Sequence, residues 1–390
     1  MGYFTARRLA DCTNVDDLRA LARRRLPGPI FHYIDGAADD ERTYRRNTDA
    51  YNDYDLVPNV LAGVADVDMS VSVMGQTLGL PVFCSPTALQ RLFHHKGERA
   101  VALAAQKYKT LFGVSSLGTV SLAEIGELID TPKMFQFYFH KDRALNEAML
   151  DMARAARFDI LTLTVDTITG GNRERDIHTG FTSPPRLTPL SFMQFALKPN
   201  WALNFLLREK FELSQLKDHV GQGSNIAISV GDYFSTMLDQ SMSWDDAADL
   251  KAKWGGRFCL KGIMSVGDAR RAVDMGADAI MISNHGGRQL DGSRAPFDQL
   301  EEILAAVGGQ IEVICDGGIR RGTHILKAMA LGATACSGGR LYLYALAAAG
   351  QAGVEKALGN LQTEIERDMK LMGITHLSQL TPDMIRKRQV

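Results

Sequence analysis

The chain has 390 residues, 45% hydrophobic and 23% charged, with a formal net charge of −1. That length suits one large barrel with additions, and the balance is that of a globular protein. The near-zero charge, without a long Lys/Arg cluster, gives no electrostatic case for nucleic acid as a partner.

The first ten residues are too short and too polar for a secretory leader. An amphipathic helix is expected from Val15 to Leu26, then Pro27, then Phe31-His32-Tyr33-Ile34-Asp35-Gly36. Residues 14–58 read as an N-terminal helical cap. Eight β-like runs follow, at 81–85, 110–115, 133–139, 160–166, 257–262, 279–284, 312–316 and 333–337. Helical patterns lie among them at 97–108, 144–156, 244–254, 266–275, 297–306 and 321–330. Strands alternating with helices imply parallel pairing, and eight units imply a TIM (β/α)8 barrel over 81–350. The competing open doubly wound sheet lacks a GxGxxG after its first strand. The whole chain, 1–390, reads as a single domain.

Four of the five cysteines (Cys84, Cys259, Cys315, Cys336) fall in these apolar runs, Cys12 does not, and none forms a CxxC pair. Buried reduced thiols in a cytoplasmic setting are expected, with no zinc site. No stretch is long and apolar enough to span a bilayer. About ninety residues separate the fourth and fifth strands, where a βα connection needs far fewer. The insertion is placed at 168–242. Its segment 187–207 is rich in Phe, Leu, Met and Trp and is followed by Arg208 and Lys210.

In a barrel, chemistry gathers at the C-terminal strand ends. The sixth strand runs into Ser283-Asn284-His285-Gly286-Gly287-Arg288-Gln289-Leu290-Asp291-Gly292. A base three residues from a fixed cation could take a proton from a small hydroxy acid and hold its carboxylate. The bland alternative is a glycine turn. Strands seven and eight end Asp316-Gly317-Gly318-Ile319-Arg320 and Ser337-Gly338-Gly339-Arg340. Paired Gly-rich turns there can cradle a phosphate with backbone N–H groups, and each carries an Arg. Lys261, ending strand five, would stabilise negative charge on a reduced flavin, or is a surface lysine. Asp166, ending strand four, would orient His285, or caps a helix.

Together these motifs resemble the FMN-dependent α-hydroxy-acid oxidase and dehydrogenase family, over about 14–375. Ser283–Gly292 is the strongest. It is supported by Ser85-Pro86-Thr87-Ala88, Leu163-Thr164-Val165-Asp166-Thr167, Leu260-Lys261-Gly262 and Asp316–Gly322. The resemblance implies FMN as cofactor, His285 as the base, Asp166 as its carboxylate partner and Lys261 beside the flavin. It implies Arg173 and Arg288 as the carboxylate grip, with Tyr33 and Tyr138 against the substrate. Thr87, Ala88, Ser115, Gln136, Thr164, Lys261 and Ser283 match positions lining the flavin. Asp316, Gly318, Arg320, Gly339 and Arg340 match those holding its ribityl phosphate. Tyr138 joins His285, Asp166 and Lys261 in the implied catalytic set.

Leu117 stands where short-chain glycolate oxidases carry Trp, which leaves room for a methyl or larger side chain. The whole-chain pattern looks most like the bacterial L-lactate dehydrogenases, which implies L-lactate oxidation with electrons passed to a quinone or cytochrome. Mandelate-type acids and oxygen as acceptor stay open, as do amine oxidation and a non-redox FMN isomerase. The resemblance further implies a homo-oligomer, with a tetramer as the family form. It also implies a peripheral site on the cytoplasmic face of the inner membrane through 187–207, against which stands a loop packed on the protein itself.

Overall fold

The computed structural model describes residues 6–181, 189–209, 211–216 and 236–388. Eight parallel strands form a closed barrel: β1 (Val82–Thr87), β2 (Phe112–Ser115), β3 (Lys133–Phe137), β4 (Ile160–Thr164), β5 (Arg257–Lys261), β6 (Ala279–Ile282), β7 (Glu312–Asp316) and β8 (Ala335–Gly338). Each pairs with its sequence neighbours, and β8 pairs with β1 to close the ring. The expected TIM barrel is therefore present. The helix Leu122–Leu128, between β2 and β3, was not among the expected elements; Ser121 caps it by accepting from the Glu124 N–H. Trp244–Trp254 lies where expected, started by a Ser243–Asp246 capping box.

Strand pleating sends alternate residues inward, and this period of two builds the site. Phe83, Met134, Ile160, Cys259, Met281, Ile314 and Ala335 form one buried apolar cluster in the lower barrel. The hairpin Val71–Val73/Gln76–Leu78 adds Val73, Met74 and Leu78 to it, closing the base. Two residues further along the same strands, the positions become Ser85, Gln136, Thr162, Lys261, Ser283, Asp316 and Ser337. The interior thus changes from dry to polar within one inward step, at the strands' C-terminal ends.

The cap comprises α1 (Val15–Arg25), α2 (Gly28–Asp35) and α3 (Arg42–Asp49). Asn14 accepts from the Asp17 N–H at the start of α1, with Asp16 and Asp17 in its first turn and Arg23 to Arg25 in its last. Each charge complements the helix dipole. Leu26, preceding Pro27, is extended (ψ 150°) and ends the helix. Val15, Leu18, Leu21 and Ala22 are buried, and α1 packs along the C-terminal helix Arg340–Met372. That helix breaks at Ala349-Gly350, where Gly350 (φ +60°) faces His94; a Cβ there would lie 2.6 Å from the imidazole.

Asp35, at the end of α2, gathers the cap. It is 2% exposed at its side chain and pairs with Arg19 of α1 (2.5 Å) and Arg175 of the insertion (3.0 Å). It also accepts from the Tyr344 hydroxyl of the C-terminal helix (2.7 Å). Burial alone would raise its carboxyl, but Arg19 and Tyr344 hold it well below the usual carboxylate range. One buried carboxylate thus joins four parts of the chain.

Asp35→Ala leaves these partners uncompensated and should cost about 3 kcal/mol in urea unfolding. Asp55→Ala, which breaks an exposed pair with Arg388, should cost under about 1 kcal/mol. Equal losses would show that Asp35 is no more than a surface ion pair.

Candidate active site

A cleft at the C-terminal mouth of the barrel encloses about 1080 Å³ of space, part of it open to solvent. It is lined by Tyr33, Thr87, Ala88, Ser115, Gln136, Tyr138, Arg173, Lys261, His285, Arg288, Asp316, Gly318, Arg320, Gly339 and Arg340, all expected from sequence. Thr164, Ser283 and Asp166 stand behind this wall. Ser283 is fully buried, donating to Asp316 (2.7 Å) and accepting from Lys261 (3.0 Å). The cap contributes Ile34, Tyr44, Asn47 and Thr48 to the lining, which sequence reasoning did not single out apart from Tyr33.

His285 follows β6 in a left-handed conformation (φ +56°), uncommon for a residue with a Cβ. Its Nδ1 lies 3.0 Å from Asp166 Oδ1 and 3.1 Å from Thr167 Oγ1, and Thr167 donates to the same Asp166 oxygen (2.8 Å). Burial lowers the imidazole below its ordinary pKa, although Asp166 pulls it up. Burial would raise Asp166, yet His285 and Lys261 bring it to about 2. At neutral pH the pair is therefore a neutral imidazole beside a carboxylate, with Nε2 as the ring nitrogen not committed to Asp166.

Asn284, just before His285, exchanges two hydrogen bonds with Asn47 of α3 (2.9 and 2.7 Å) and accepts from the Gly287 N–H (3.0 Å). The His285 loop is thereby fastened to the cap.

Arg288 donates to the carbonyls of Tyr33 (2.6 Å) and Gly36 (3.1 Å), and its guanidinium lies over the Tyr33 ring (4.8 Å). Burial and the like charge of Arg173 lower its pKa. Arg173 Nε is buried without a hydrogen-bond partner among the described residues. Two half-buried cations that repel each other across one cleft suit a planar anion such as a carboxylate. Beside them, Phe93, Leu117, Leu341 and Leu343 supply apolar lining. Tyr138 is buried, which pushes its hydroxyl pKa up and keeps it protonated.

Lys261 is 4% exposed, 3.4 Å from Asp316 Oδ2. Burial opposes its charge, but Asp316 and Asp166 outweigh burial and raise its pKa. Asp316 also accepts from Ser85 (2.5 Å), Ser283 (2.7 Å) and Ser337 (2.6 Å).

The two arginines expected at a phosphate differ. Arg340 donates to the carbonyls of Ile34 (2.8 Å), Gly286 (2.8 Å) and Gly36 (2.7 Å), which ties the cap to the His285 loop and leaves a second N–H on each terminal nitrogen of a side chain that also lines the cleft. Arg320 lines the cleft over the Tyr344 ring (5.4 Å), and its guanidinium makes no hydrogen bond among the described residues.

A profile of FMN-dependent dehydrogenases matches residues 22–387. An L-lactate dehydrogenase from Alcaligenes faecalis is 38% identical over 370 residues, 95% of this chain and 97% of that one. Another, from Pseudomonas syringae, is 37% identical, covering 96% of this chain and 98% of its own. Among solved structures, a monotopic membrane (S)-mandelate dehydrogenase superposes with a TM-score of 0.91 at 32% identity, over 97% of this chain and 100% of that one. A lactate oxidase from Pediococcus acidilactici superposes with a TM-score of 0.84 at 31% identity, over 97% and 96%.

The cleft's donors fit FMN. Gln136 Nε2 is buried without a partner among the described residues, Lys261 offers a buried cation, and Arg320 offers an uncommitted guanidinium beside a Gly-rich turn. Gly318 (φ +74°) is required in that turn, because a Cβ would fall 1.8 Å from the Asn47 carbonyl. Gly318→Ala should therefore cost more than the ~1–2 kcal/mol of left-handed strain alone. Gly292→Ala (φ +82°, open space around its Cβ position) should cost only that strain. Equal unfolding midpoints for the two variants would contradict the packing of α3 on the turn.

Proposed function

Because the chain belongs to the FMN-dependent dehydrogenase family, we propose that its 2-hydroxy-acid oxidation acts on L-lactate, giving pyruvate. The observation that carries this reading is the meeting of three groups in one cleft: a neutral His285 backed by Asp166, the Arg173/Arg288 pair, and a small apolar wall. The names of the curated relatives agree with it.

In this reading Arg173 and Arg288 hold the carboxylate, and Tyr138 donates a hydrogen bond near the substrate hydroxyl. Tyr33, set by Arg288 and stacked on Phe93 (6.1 Å), closes the cap side. Nε2 of His285 takes a proton, and Asp166 stabilises the imidazolium that results. Bound FMN supplies the two-electron acceptor. Lys261, kept protonated by Asp316 and Asp166, would offer positive charge to the flavin as it gains electrons. Gln136, Ser115, Thr87, Ala88, Thr164 and Ser283 form the bed for the ring. Arg320, with the backbone at Gly318 and Gly339, holds the phosphate. Arg340, which lines the same cleft, would add to the phosphate site while tying cap to barrel, and Asp316 would lie by the ribityl chain while anchoring Lys261. The domain division, with the cap at 14–58 and the insertion at 168–242, belongs to the same reading.

We further propose that electrons leave to a membrane quinone, with the enzyme resting on the cytoplasmic face. No helix among the described residues is long and apolar enough to cross a membrane. Residues 187 and 188 of the expected segment lie outside the described residues. Beyond them, Pro189–Ala196 and Pro199–Leu207 are helices whose Phe195, Trp201 and Phe205 stack together. Met193 (51%), Leu197 (67%), Leu203 (53%) and Leu207 (76%) stay exposed. An aromatic inner layer under an exposed aliphatic edge is what an interfacial segment needs. A tetramer remains compatible with the same edge.

Two experiments test this. Asp166 raises the His285 pKa, so Asp166→Asn should move the acid limb of kcat/KM for L-lactate to lower pH. It should also cut the maximal rate by about a hundredfold or more, because the imidazolium loses its counter-charge. An unshifted limb would remove His285 as the titrating base. Replacing Met193, Leu197, Leu203 and Leu207 by Gln should abolish sedimentation with anionic phospholipid vesicles and leave dye-linked oxidation intact. Unchanged sedimentation would contradict the membrane reading.

A further inference from the structure

The turn after β7 is held from below by a pair of residues that the catalytic scheme does not use. Tyr51, in the 3-10 turn Ala50–Asp53 that follows α3, is fully buried, and its hydroxyl donates to the Gly317 carbonyl (3.2 Å). Its ring is sandwiched between Phe297 (centroids 4.2 Å apart) and His324 (4.4 Å, planes within 7°). His324 sits in the first turn of the helix Gly322–Ala330 and is 7% exposed. Its Nδ1 lies 3.3 Å from the Gly318 carbonyl and 3.4 Å from the Arg320 N–H. Thr48 of α3 donates to the same Gly318 carbonyl (3.2 Å).

These contacts converge on the backbone of Gly317 to Arg320, where both glycines have positive φ. Such a turn has no regular ladder to fix it, so side-chain bonds must choose its conformation. One ring nitrogen cannot serve both neighbours. With the proton on Nδ1, His324 donates to the Gly318 carbonyl and leaves the Arg320 N–H for another acceptor. With the proton on Nε2, Nδ1 accepts from Arg320 and occupies that N–H. Thr48 and Tyr51 act only on the carbonyl side, so His324 alone touches both ends of the turn.

We propose that His324, held flat by Tyr51, is a positioning residue for the flavin 5′-phosphate: it sets the Gly318–Arg320 backbone so that the Arg320 N–H and guanidinium address one phosphate. This rests on the reading that the phosphate lies at this turn. It touches no part of the substrate end of the cleft. The consequence is selective: His324 should matter for FMN and not for riboflavin, which shares the ring and ribityl chain and lacks the phosphate.

The test uses the full-length chain stripped of flavin and titrated with FMN or riboflavin, following flavin fluorescence. His324→Ala should weaken FMN about tenfold or more, as for a lost hydrogen bond to a charged-ligand site, and leave riboflavin within about threefold. His324→Phe keeps the stack on Tyr51 and lacks the nitrogen, so it should lose FMN affinity like His324→Ala. His324→Asn, whose side-chain amide can donate to a nearby carbonyl, should recover much of it. Wild-type FMN affinity in His324→Phe, or equal losses for both flavins in His324→Ala, would overturn the proposal. Arg320→Ala separates the two layers. Loss of the preference for FMN over riboflavin supports the phosphate reading, whereas an unchanged preference overturns that reading and this proposal with it.

Discussion

The carboxylate of Asp316 is the point on which the upper barrel depends. It is buried at the end of β7 and accepts hydroxyls from Ser85, Ser283 and Ser337 while facing Lys261. Those partners stand on or just beyond β1, β6, β8 and β5. A desolvated charge is tolerated only when its lone pairs are filled and a counter-ion is close. Here both conditions are met by residues from strands that are far apart in sequence. The same arrangement keeps Lys261 protonated inside a protein interior. A cation available to the cleft and a closed polar layer are therefore one structure. Removing the carboxylate would leave a buried ammonium with only Asp166 to compensate it.

The second dependence runs from the cap. Arg340 spends its guanidinium on carbonyls of α2 and of the His285 loop, and Asn47 clasps Asn284. Arg288 reaches back to the same end of α2 through Tyr33 and Gly36. The cap thus fixes the positions of His285 and Arg288 together. This explains why His285 can hold a left-handed backbone: its neighbours on both sides are over-determined. In the proposed function, substrate binding and cap order would be coupled through Arg288, because one guanidinium would serve both.

Much of this was legible in the sequence, for a physical reason. Inward residues of a barrel strand alternate, so a polar residue ending an apolar run, as Lys261 or Asp316 does, reports its own place. Gly-rich turns announce positive φ, and His285 with Arg288 share one short loop. What stayed hidden depends on contacts between distant segments. Nothing in the local pattern around Tyr44, Asn47 or Thr48 says that α3 lies over the cleft. Arg340 reads as a phosphate ligand from its Gly-rich turn, and only the fold shows that it also ties the cap to the His285 loop. The helix Leu122–Leu128 escaped because seven residues, one of them Gly126, carry too little periodicity. The aliphatic edge of the insertion was visible as composition, whereas the burial of Trp201 beneath it was not.

The central claim is that His285 is the base for oxidation of a 2-hydroxy acid held by Arg173 and Arg288. The most direct measurement mixes the flavin-loaded protein and its His285→Asn variant anaerobically with L-lactate and follows flavin absorbance. The native protein should bleach rapidly. The variant should bleach at least about a hundredfold more slowly, while oxalate still perturbs its flavin spectrum through the intact arginine pair. Bleaching of the variant at the native rate, or none of the native protein with any L-2-hydroxy acid, would contradict it.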